Sequence, residues 1–190
     1  MEYAWVISAG TELTLGQTPD TNAAWLAARL AALGIRPVRH VVVPDDLAAM
    51  CAVLREAAAA CDVILMSGGL GPTADDLTRQ AVAEVAGVPL ELHAPSLEHL
   101  RAFFAARGRE LPASNTVQAL VPRGATALPN ACGTAPGLHV ALAPRGIPCF
   151  CLPGVPFEMR AMFEAEVAPR LSVAQRGAVI LTRRLHTFGL

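Results

Sequence analysis

The chain has 190 residues, of which 53% are hydrophobic and 16% are charged, and its formal net charge at pH 7 is −1. This apolar content is sufficient for a large core and excludes an intrinsically disordered chain. The length indicates one domain, or one domain with a short appendage. Every basic residue is an arginine, and the arginines are scattered rather than gathered in a stripe, so no nucleic-acid partner is predicted.

The sequence contains 5 cysteines, an odd number, and lacks the basic-then-apolar start of a signal peptide. We therefore expect reduced thiols and a cytoplasmic location. The longest alanine-rich tract, Leu47 to Cys61, is interrupted by Arg55 and Glu56, so no membrane-spanning segment or membrane partner is predicted. The histidines have no paired spacing, and any bound metal should be oxygen-ligated, such as Mg²⁺.

Apolar runs alternate with helical patterns through the first half of the chain. Strands are predicted over Tyr3–Ser8, Val38–Val43 and Val63–Ser67. Helices are predicted from the caps at 20–22 to about Leu33, from Leu47 to about Ala60, and from Thr78 to Ala86. The segment between the first strand and the first helix is a loop. This alternating order implies parallel strands joined by right-handed crossovers.

The second half is less regular. Helices are predicted from the Pro95–Ser96 cap to about Arg107 and from Phe157 to about Val167, where Pro169 ends the second. Strands are predicted near 125–128, 138–143, 147–152 and, weakly, 178–187. We expect residues 1–171 to form one α/β domain, and we expect residues 172–190 to be the start of a truncated C-terminal extension or linking domain.

The segment from Gly68 to Thr78 is the most informative stretch. Three glycines in four positions follow a buried strand, and Asp75 and Asp76 come next. A strand, a glycine-rich turn and a helix start form a common anion site, and Thr78 is the predicted N-cap. Adjacent aspartates would repel a phosphate without a cation, so the loop suggests a phosphorylated ligand with a divalent metal. A tight turn with solvated aspartates explains the same pattern without a ligand.

In an open parallel sheet, ligands bind at the carboxyl ends of the strands. Loops beginning at Gly10, Pro44, Gly68 and Pro153 would emerge there, and 133–137 is a further glycine–proline turn. Asp45 is expected to be the N-cap of its helix, and Asp46 a first-turn carboxylate. Glu12 is either a solvated loop charge or a ligand group, and the helix dipole suffices to explain Glu158.

Taken together, these segments resemble the CinA (competence/damage-inducible) N-terminal domain, a member of the molybdopterin-binding superfamily with MogA, MoaB and MoeA. The matching segments are 67–78, 10–17 through 21–22, 115 with 118–119, 133–137, and 152–156 with 158–159. The resemblance implies a three-layer α/β/α sandwich with a mostly parallel sheet and a homo-oligomer, dimer or trimer. In the molybdopterin-handling relatives an essential aspartate of the glycine loop falls on Asp76, and another acid falls near Asp45 or Asp46.

The resemblance also implies a nucleotide-like or pterin-like ligand. The first hypothesis is hydrolysis of ADP-ribose to AMP and ribose 5-phosphate with Mg²⁺, Mn²⁺ or Co²⁺ and with potassium. The alternatives are molybdopterin binding or adenylylation, and a non-catalytic ligand-binding or assembly domain. Asp75 and Asp76 are the expected catalytic residues, and with Glu12 the expected metal ligands. The expected ligand-binding residues are Gly10, Glu12, Asn22, Asp45, Gly68, Gly69, Gly71, Thr73, Thr78, Asn115, Gly133, Thr134, Pro153, Gly154 and Glu158.

Overall fold

The computed structural model describes residues 1–174. Its strands are β1 (Tyr3–Ala9), β2 (Arg36–Val43), β3 (Val63–Ser67), β4 (Leu90–Leu92), β5 (Leu120–Pro122), β6 (Thr126–Leu128), β7 (Gly137–Leu142) and β8 (Ile147–Leu152). Its α-helices are α1 (Thr11–Thr14), α2 (Thr21–Ala32), α3 (Leu47–Ala60), α4 (Thr78–Ala86), α5 (Ala94–Ala105), α6 (Pro156–Met162) and α7 (Ala168–Ala174). A 3₁₀ segment spans Ala113–Ala119, and a π-helical segment, Phe163–Val167, joins α6 to α7.

The central sheet has six strands in the order β2-β1-β3-β8-β7-β6, and β4 pairs separately with β5. Strands β2, β1, β3 and β8 are parallel to one another, whereas β7 runs antiparallel to both of its neighbours, β8 and β6. This arrangement confirms the predicted α/β class and the mostly parallel sheet. Because β1, β3 and β8 are neighbours with one direction, their carboxyl ends lie side by side at one edge of the sheet.

Alternate residues of the central strands face two different helical layers. On one face, Ile7 and Ile64 pack in a cluster with Leu54 of α3 and Val82 of α4. On the other face, Leu65 packs in a cluster that contains residues of α2, α6 and α7, such as Leu26, Met159 and Leu171. The molecule is therefore the three-layer α/β/α sandwich that the resemblance implied.

Local hydrogen bonds fix the starts of two of the helices that lead away from this edge. The Asp20 carboxylate accepts the Ala23 N–H at 2.9 Å and caps α2. The cap of α3 is Asp46, which accepts the Ala49 N–H at 2.8 Å. The expectation that Asp45 caps this helix is wrong, because the chain turns one residue later than the sequence suggested. Asp45 is consequently available for contacts outside the helix.

Some expected elements differ from those observed. The loop after β1 contains the four-residue helix α1, and β4 and β5 form an unexpected two-stranded sheet, since such short elements show no periodicity. Pro169 does not end the helix but lies in the first turn of α7, where proline is tolerated. The strand expected over 178–187 falls outside the described residues, and the division at residue 171 stays a prediction. Within residues 1–174, no helix is long and apolar enough to cross a membrane.

Candidate ligand-binding site

A cavity of about 490 Å³ opens at the carboxyl ends of β1, β3 and β8. It falls in the size range of small-molecule sites in proteins. Its wall contains most of the site residues expected from the sequence, and these residues come from five separate loops. These are Gly10, Glu12, Asp45, Gly68, Gly69, Gly71, Thr73, Asp75, Asp76, Thr134, Pro153, Gly154 and Glu158. Asn22, Thr78, Asn115 and Gly133 are not in this wall.

The glycine loop after β3 is folded by contacts with its neighbours. Gly68 and Gly69 both have positive φ, at 101° and 65°, a conformation that side chains other than glycine rarely adopt. A Cβ on Gly69 would also collide with the Thr78 hydroxyl. Thr78 is the first residue of α4 and not its cap, because its hydroxyl donates to the Gly68 carbonyl at 2.8 Å. Its role is to hold the loop, and it does not reach the cavity.

The loop N–H groups are only partly free for a ligand. The Gly68 N–H donates to the Leu152 carbonyl at 3.0 Å, and the Thr78 N–H donates to the Gly69 carbonyl at 3.1 Å. The Gly71 N–H donates to Asp76 at 2.7 Å. The N–H groups of Gly68, Gly71 and Thr78 are therefore not free to bind a phosphate, which corrects the expectation that these residues bind the ligand through an anion site at this turn and helix start. In the part of the chain that the structure describes, the Gly69 and Leu70 N–H groups have no such bond, and they remain as donors for a ligand.

Asp76 organises the loop that it follows. One carboxylate oxygen accepts the Gly71 N–H at 2.7 Å. The other accepts both the N–H and the hydroxyl of Thr73, at 2.9 and 2.5 Å. Asp76 therefore has a structural role in addition to the catalytic and metal-binding roles expected from the sequence. Asp75 is exposed, and hydrogen bonding from Thr73 lowers the pKa of its carboxyl below the usual value.

Asp45 links the loop after β1 to the loop after β2. Its carboxylate accepts the Thr11 N–H at 2.8 Å, while the Thr11 hydroxyl accepts the Asp45 N–H at 3.1 Å. This reciprocal pair holds α1 against the start of α3. Glu12, on α1, lies beside Gly10 so closely that a Cβ on Gly10 would sit 2.6 Å from its carboxylate. Both acids thereby present charge to the cavity from its β1 side.

Arg79 is a buried cation beneath the glycine loop that sequence reasoning missed. It is 1% exposed, and its guanidinium donates to the carbonyls of Leu70 and Gly71. Burial lowers its pKa to about 10, and the nearby Asp76 charge opposes that shift. The side chain therefore stays charged at neutral pH, and it turns the loop carbonyls inward. The role of Arg79 could be recognised only from its buried position in α4, and that position is known only once the chain is folded.

Asn130 is a second missed residue, and it connects Glu158 to the turn at 132–135. Its amide nitrogen donates to a Glu158 carboxylate oxygen at 2.7 Å and to the Ala135 carbonyl at 2.9 Å. Its amide oxygen accepts the N–H groups of Cys132 and Gly133, at 3.0 and 2.9 Å. A Cβ on Gly133 would collide with the Glu158 carboxylate. Gly133 thus permits the approach of Glu158 rather than forming the wall itself.

Asn115 and Asn22 act behind or beside the cavity. The Asn115 amide donates to the Gln118 side chain at 3.0 Å, and it is the buried Gln118 that lines the cavity. The Asn22 amide donates to the Ser67 hydroxyl at 3.0 Å and to the Gly154 carbonyl at 2.8 Å. Asn22 therefore ties α2 to the ends of β3 and β8, next to a smaller neighbouring cavity.

The charged side chains that line the large cavity are all acidic. Five carboxylates line it, from Glu12, Asp45, Asp75, Asp76 and Glu158, and no basic side chain does. Among residues 1–174, no group of three or more histidine, cysteine, aspartate or glutamate side chains could hold a metal ion. The expected set of Glu12, Asp75 and Asp76 is therefore not a preformed metal cage. The residues instead suit an ion that is coordinated mainly by phosphate oxygens of a ligand and additionally by one or two carboxylates of the protein.

Comparison with known proteins first places the chain in a class. Residues 5–173 match the family model described as "Probable molybdopterin binding domain". MoaB, a molybdopterin biosynthesis enzyme from Thermus thermophilus, has the same fold, with a TM-score of 0.57 and 20% identity over 91% of this chain and 98% of that chain.

Relatives of higher identity are named CinA, CinA-like or competence-damage inducible proteins. The crystal structure of CinA from Thermoplasma acidophilum, a protein of unknown function, is 35% identical with a TM-score of 0.79, over 86% of this chain and 95% of that one. A putative competence-damage inducible protein of Symbiobacterium thermophilum is 46% identical over 98% of this chain and 44% of its own length. A CinA-like protein of Anaeromyxobacter sp. Fw109-5 is 44% identical over 97% of this chain and 44% of its own length. The chain belongs to the CinA family of molybdopterin-binding-type domains, and it spans less than half the length of these two curated relatives.

Proposed function

We propose that this domain binds ADP-ribose together with a divalent cation, Mg²⁺, Mn²⁺ or Co²⁺, and hydrolyses its diphosphate to AMP and ribose 5-phosphate. The observation that carries the proposal is the composition of the cavity wall: five carboxylates, no basic side chain, and open loop N–H groups at Gly69 and Leu70. Such a wall repels a bare diphosphate and accepts one whose charge a metal offsets.

Each part of the wall has a distinct task in this reaction. The Gly69 and Leu70 N–H groups donate to oxygens of the diphosphate and stabilise charge that grows as the phosphorus–oxygen bridge breaks. A carboxylate, from Asp75 or Glu12, accepts the proton of the water whose oxygen attacks phosphorus. Asp76 keeps the loop in shape, and one of its oxygens, which has a single partner, retains a lone pair for the cation. When bound, the metal would supply charge neutralisation and a lower pKa for the attacking water.

The test is a turnover assay on ADP-ribose with each of the three metals, with and without potassium. Phosphorus NMR should show AMP and ribose 5-phosphate in equal amounts, and a chelator should stop the reaction. Denatured protein and a metal-only blank exclude hydrolysis by free metal. Tight nucleotide binding without turnover in any of these metals would refute hydrolysis and support a ligand-binding domain instead.

Molybdopterin binding or adenylylation is the second candidate, since the family model and the MoaB fold favour it. Side-by-side titration with molybdopterin and ADP-ribose separates the two.

We also propose a cytoplasmic homo-oligomer, a dimer or trimer. The five cysteines are free thiols, and Val38 and Val42 are exposed on the edge strand β2. Sedimentation equilibrium tests the assembly, and a monomer at micromolar concentration would contradict it.

A further inference from the structure

A second cavity, of about 170 Å³, lies on the α2 side of the sheet edge. It shares Ala9, Glu12, Gly68 and Gly154 with the large cavity, so one ligand can extend through both. Its volume is several times the roughly 30 Å³ that a water molecule occupies in the liquid. A group the size of a pentose ring therefore fits it.

Two buried polar atoms in its wall have no partner among the described residues. Ser8 is 1% exposed, and its hydroxyl makes no hydrogen bond; the Asn22 side-chain oxygen is also unpaired. Both residues line this cavity. An unpaired buried polar atom costs roughly 1–3 kcal/mol, so two in one small cavity indicate a bound group that the folded chain does not itself supply.

The orientation of the Asn22 amide is fixed by its neighbours. Its nitrogen donates to the Ser67 hydroxyl oxygen and to the Gly154 carbonyl. The Ser67 hydroxyl in turn donates to the Pro153 carbonyl. A carbonyl oxygen can only accept, so the nitrogen must be on that side and the amide oxygen is the atom left without a partner among the described residues. The position of Ser8 is fixed as well, since it pairs with Ser67 in adjacent parallel strands. The cavity thus presents a rigid acceptor beside a hydroxyl.

The rest of the wall selects the kind of group. Glu12 and Asp20 add carboxylate oxygens, and no basic or aromatic side chain is present in the wall. Such a wall disfavours phosphate and offers no ring for a base to stack upon. Donors that can satisfy several neighbouring acceptors are needed, and vicinal hydroxyl groups of a sugar provide them.

We infer that this cavity binds the terminal ribose of the ligand through its hydroxyl groups, with Ser8 and Asn22 as the recognising residues. The inference rests on the proposed function for the identity of the ligand. The terminal ribose donates to the Asn22 oxygen and exchanges a hydrogen bond with the Ser8 hydroxyl, while the diphosphate lies in the large cavity. These ribose contacts of Ser8 and of the Asn22 oxygen are separate from the phosphate contacts proposed for the glycine loop.

The test compares Ser8→Ala and Ser8→Val with the wild type, using the non-hydrolysable methylene analogues of ADP-ribose and ADP in Mg²⁺. Removing one neutral hydrogen bond weakens binding by about two- to tenfold, so Ser8→Ala should weaken the ADP-ribose analogue to that extent. Ser8→Val also fills space and should weaken it more. The ADP analogue, which lacks the terminal ribose, should bind all three proteins equally. Ser172→Ala on α7, whose hydroxyl donates only to Ala168, is the matched control.

A second readout does not depend on the hydrolytic function. Ribose 5-phosphate should shift the NMR signals of the Asn22 side-chain amide in the wild type and not in Ser8→Val. An unshifted wild-type amide would overturn the inference and leave the cavity as a water site, as would an equal loss of affinity for both analogues. A shifted amide in a protein that does not hydrolyse ADP-ribose would refute the proposed reaction alone. Thermal unfolding checks folding, and Ser8→Ala should be no less stable because its hydroxyl has no partner to lose.

Discussion

The replacement Asp76→Asn should destabilise the protein as well as abolish ADP-ribose hydrolysis. In the wild type, one oxygen of Asp76 accepts the Gly71 N–H and the other accepts the N–H and hydroxyl of Thr73. An asparagine can accept the hydrogen bonds on only one of these two sides, because its amide nitrogen would face an N–H donor on the other side. The Thr73 N–H would then lose its acceptor, and the remaining bonds would lose their charge assistance.

The magnitude follows from these contacts. Replacing a charged acceptor and leaving one N–H facing a donor costs about 1–3 kcal/mol, with the lower values applying to the exposed Thr73. In a domain of this size, each kcal/mol lowers the Tm by roughly 2–4 °C. We therefore expect a Tm about 2–12 °C below that of the wild type.

Asp75→Asn is the matched control, since it removes the same charge from the adjacent residue. Asp75 is exposed, and surface replacements usually change stability by no more than about 0.5 kcal/mol. Differential scanning calorimetry of both variants, with urea unfolding in parallel, measures the difference. Equal Tm values for Asp76→Asn and Asp75→Asn would refute the loop-organising role of Asp76. Equal turnover by Asp76→Asn and the wild type would remove Asp76 from the mechanism.

Three further replacements test the surrounding contacts. Arg79→Met removes the guanidinium donors from the Leu70 and Gly71 carbonyls, and within residues 1–174 only the Leu70 carbonyl keeps another partner, the Gln118 amide. The free energy of unfolding in urea should fall by about 1–3 kcal/mol, the cost of one acceptor left unpaired. A more stable variant would show that desolvation of the guanidinium outweighs its bonds. Asn130→Ala should raise KM for ADP-ribose and lower the Tm, since Glu158 and the turn at 132–135 lose a common anchor, and an unchanged KM would contradict this. Hydrogen bonds from the Glu2 and Tyr3 N–H groups lower the pKa of Asp62 below 3.8, so the stability that its carboxylate contributes is present above about pH 3.8 and is lost as the pH falls through the lowered folded-state pKa. Asp62→Asn should therefore have a lower Tm than the wild type at pH 7. A difference in Tm that does not narrow near pH 3 would refute the linkage.

Local patterns predicted the framework well because the decisive forces there are local. The apolar run Val63–Ser67, followed by glycines, could be read directly as a buried strand and a sharp turn. The same is true of the start of α2, where Asp20 is the first good cap before an apolar periodicity. The gathering of the loops into one cavity followed from the direction of parallel strands. These features need only the chain's own spacing.

Contacts between distant residues account for what the sequence did not predict. Asp45 and Asp46 are equally good caps, and the bond from Thr11, which is 34 residues away, settles which of them is free. Arg79 and Asn130 have no local signature of their roles, since each is defined by what packs around it. Asp76 differs, because its bond to Thr73 spans three residues. A threonine three residues before an acidic residue is the capping-box pattern, in which the acid accepts the threonine N–H, and it was available in the sequence.

The cavity wall implies an order of binding that can be measured. Two unit charges of like sign 4 Å apart cost about 4 kcal/mol at an effective dielectric constant of 20, so several carboxylates around a diphosphate would prevent binding without a cation. Yet the wall has no preformed cage of three ligands in residues 1–174, so the cation should bind weakly when alone. We therefore expect equilibrium dialysis with Mn²⁺ to show little uptake by the free protein and close to one ion per chain once the methylene analogue of ADP-ribose is added. Stoichiometric Mn²⁺ binding without the nucleotide would contradict this order, because it would require a protein-only metal site that the described residues do not form.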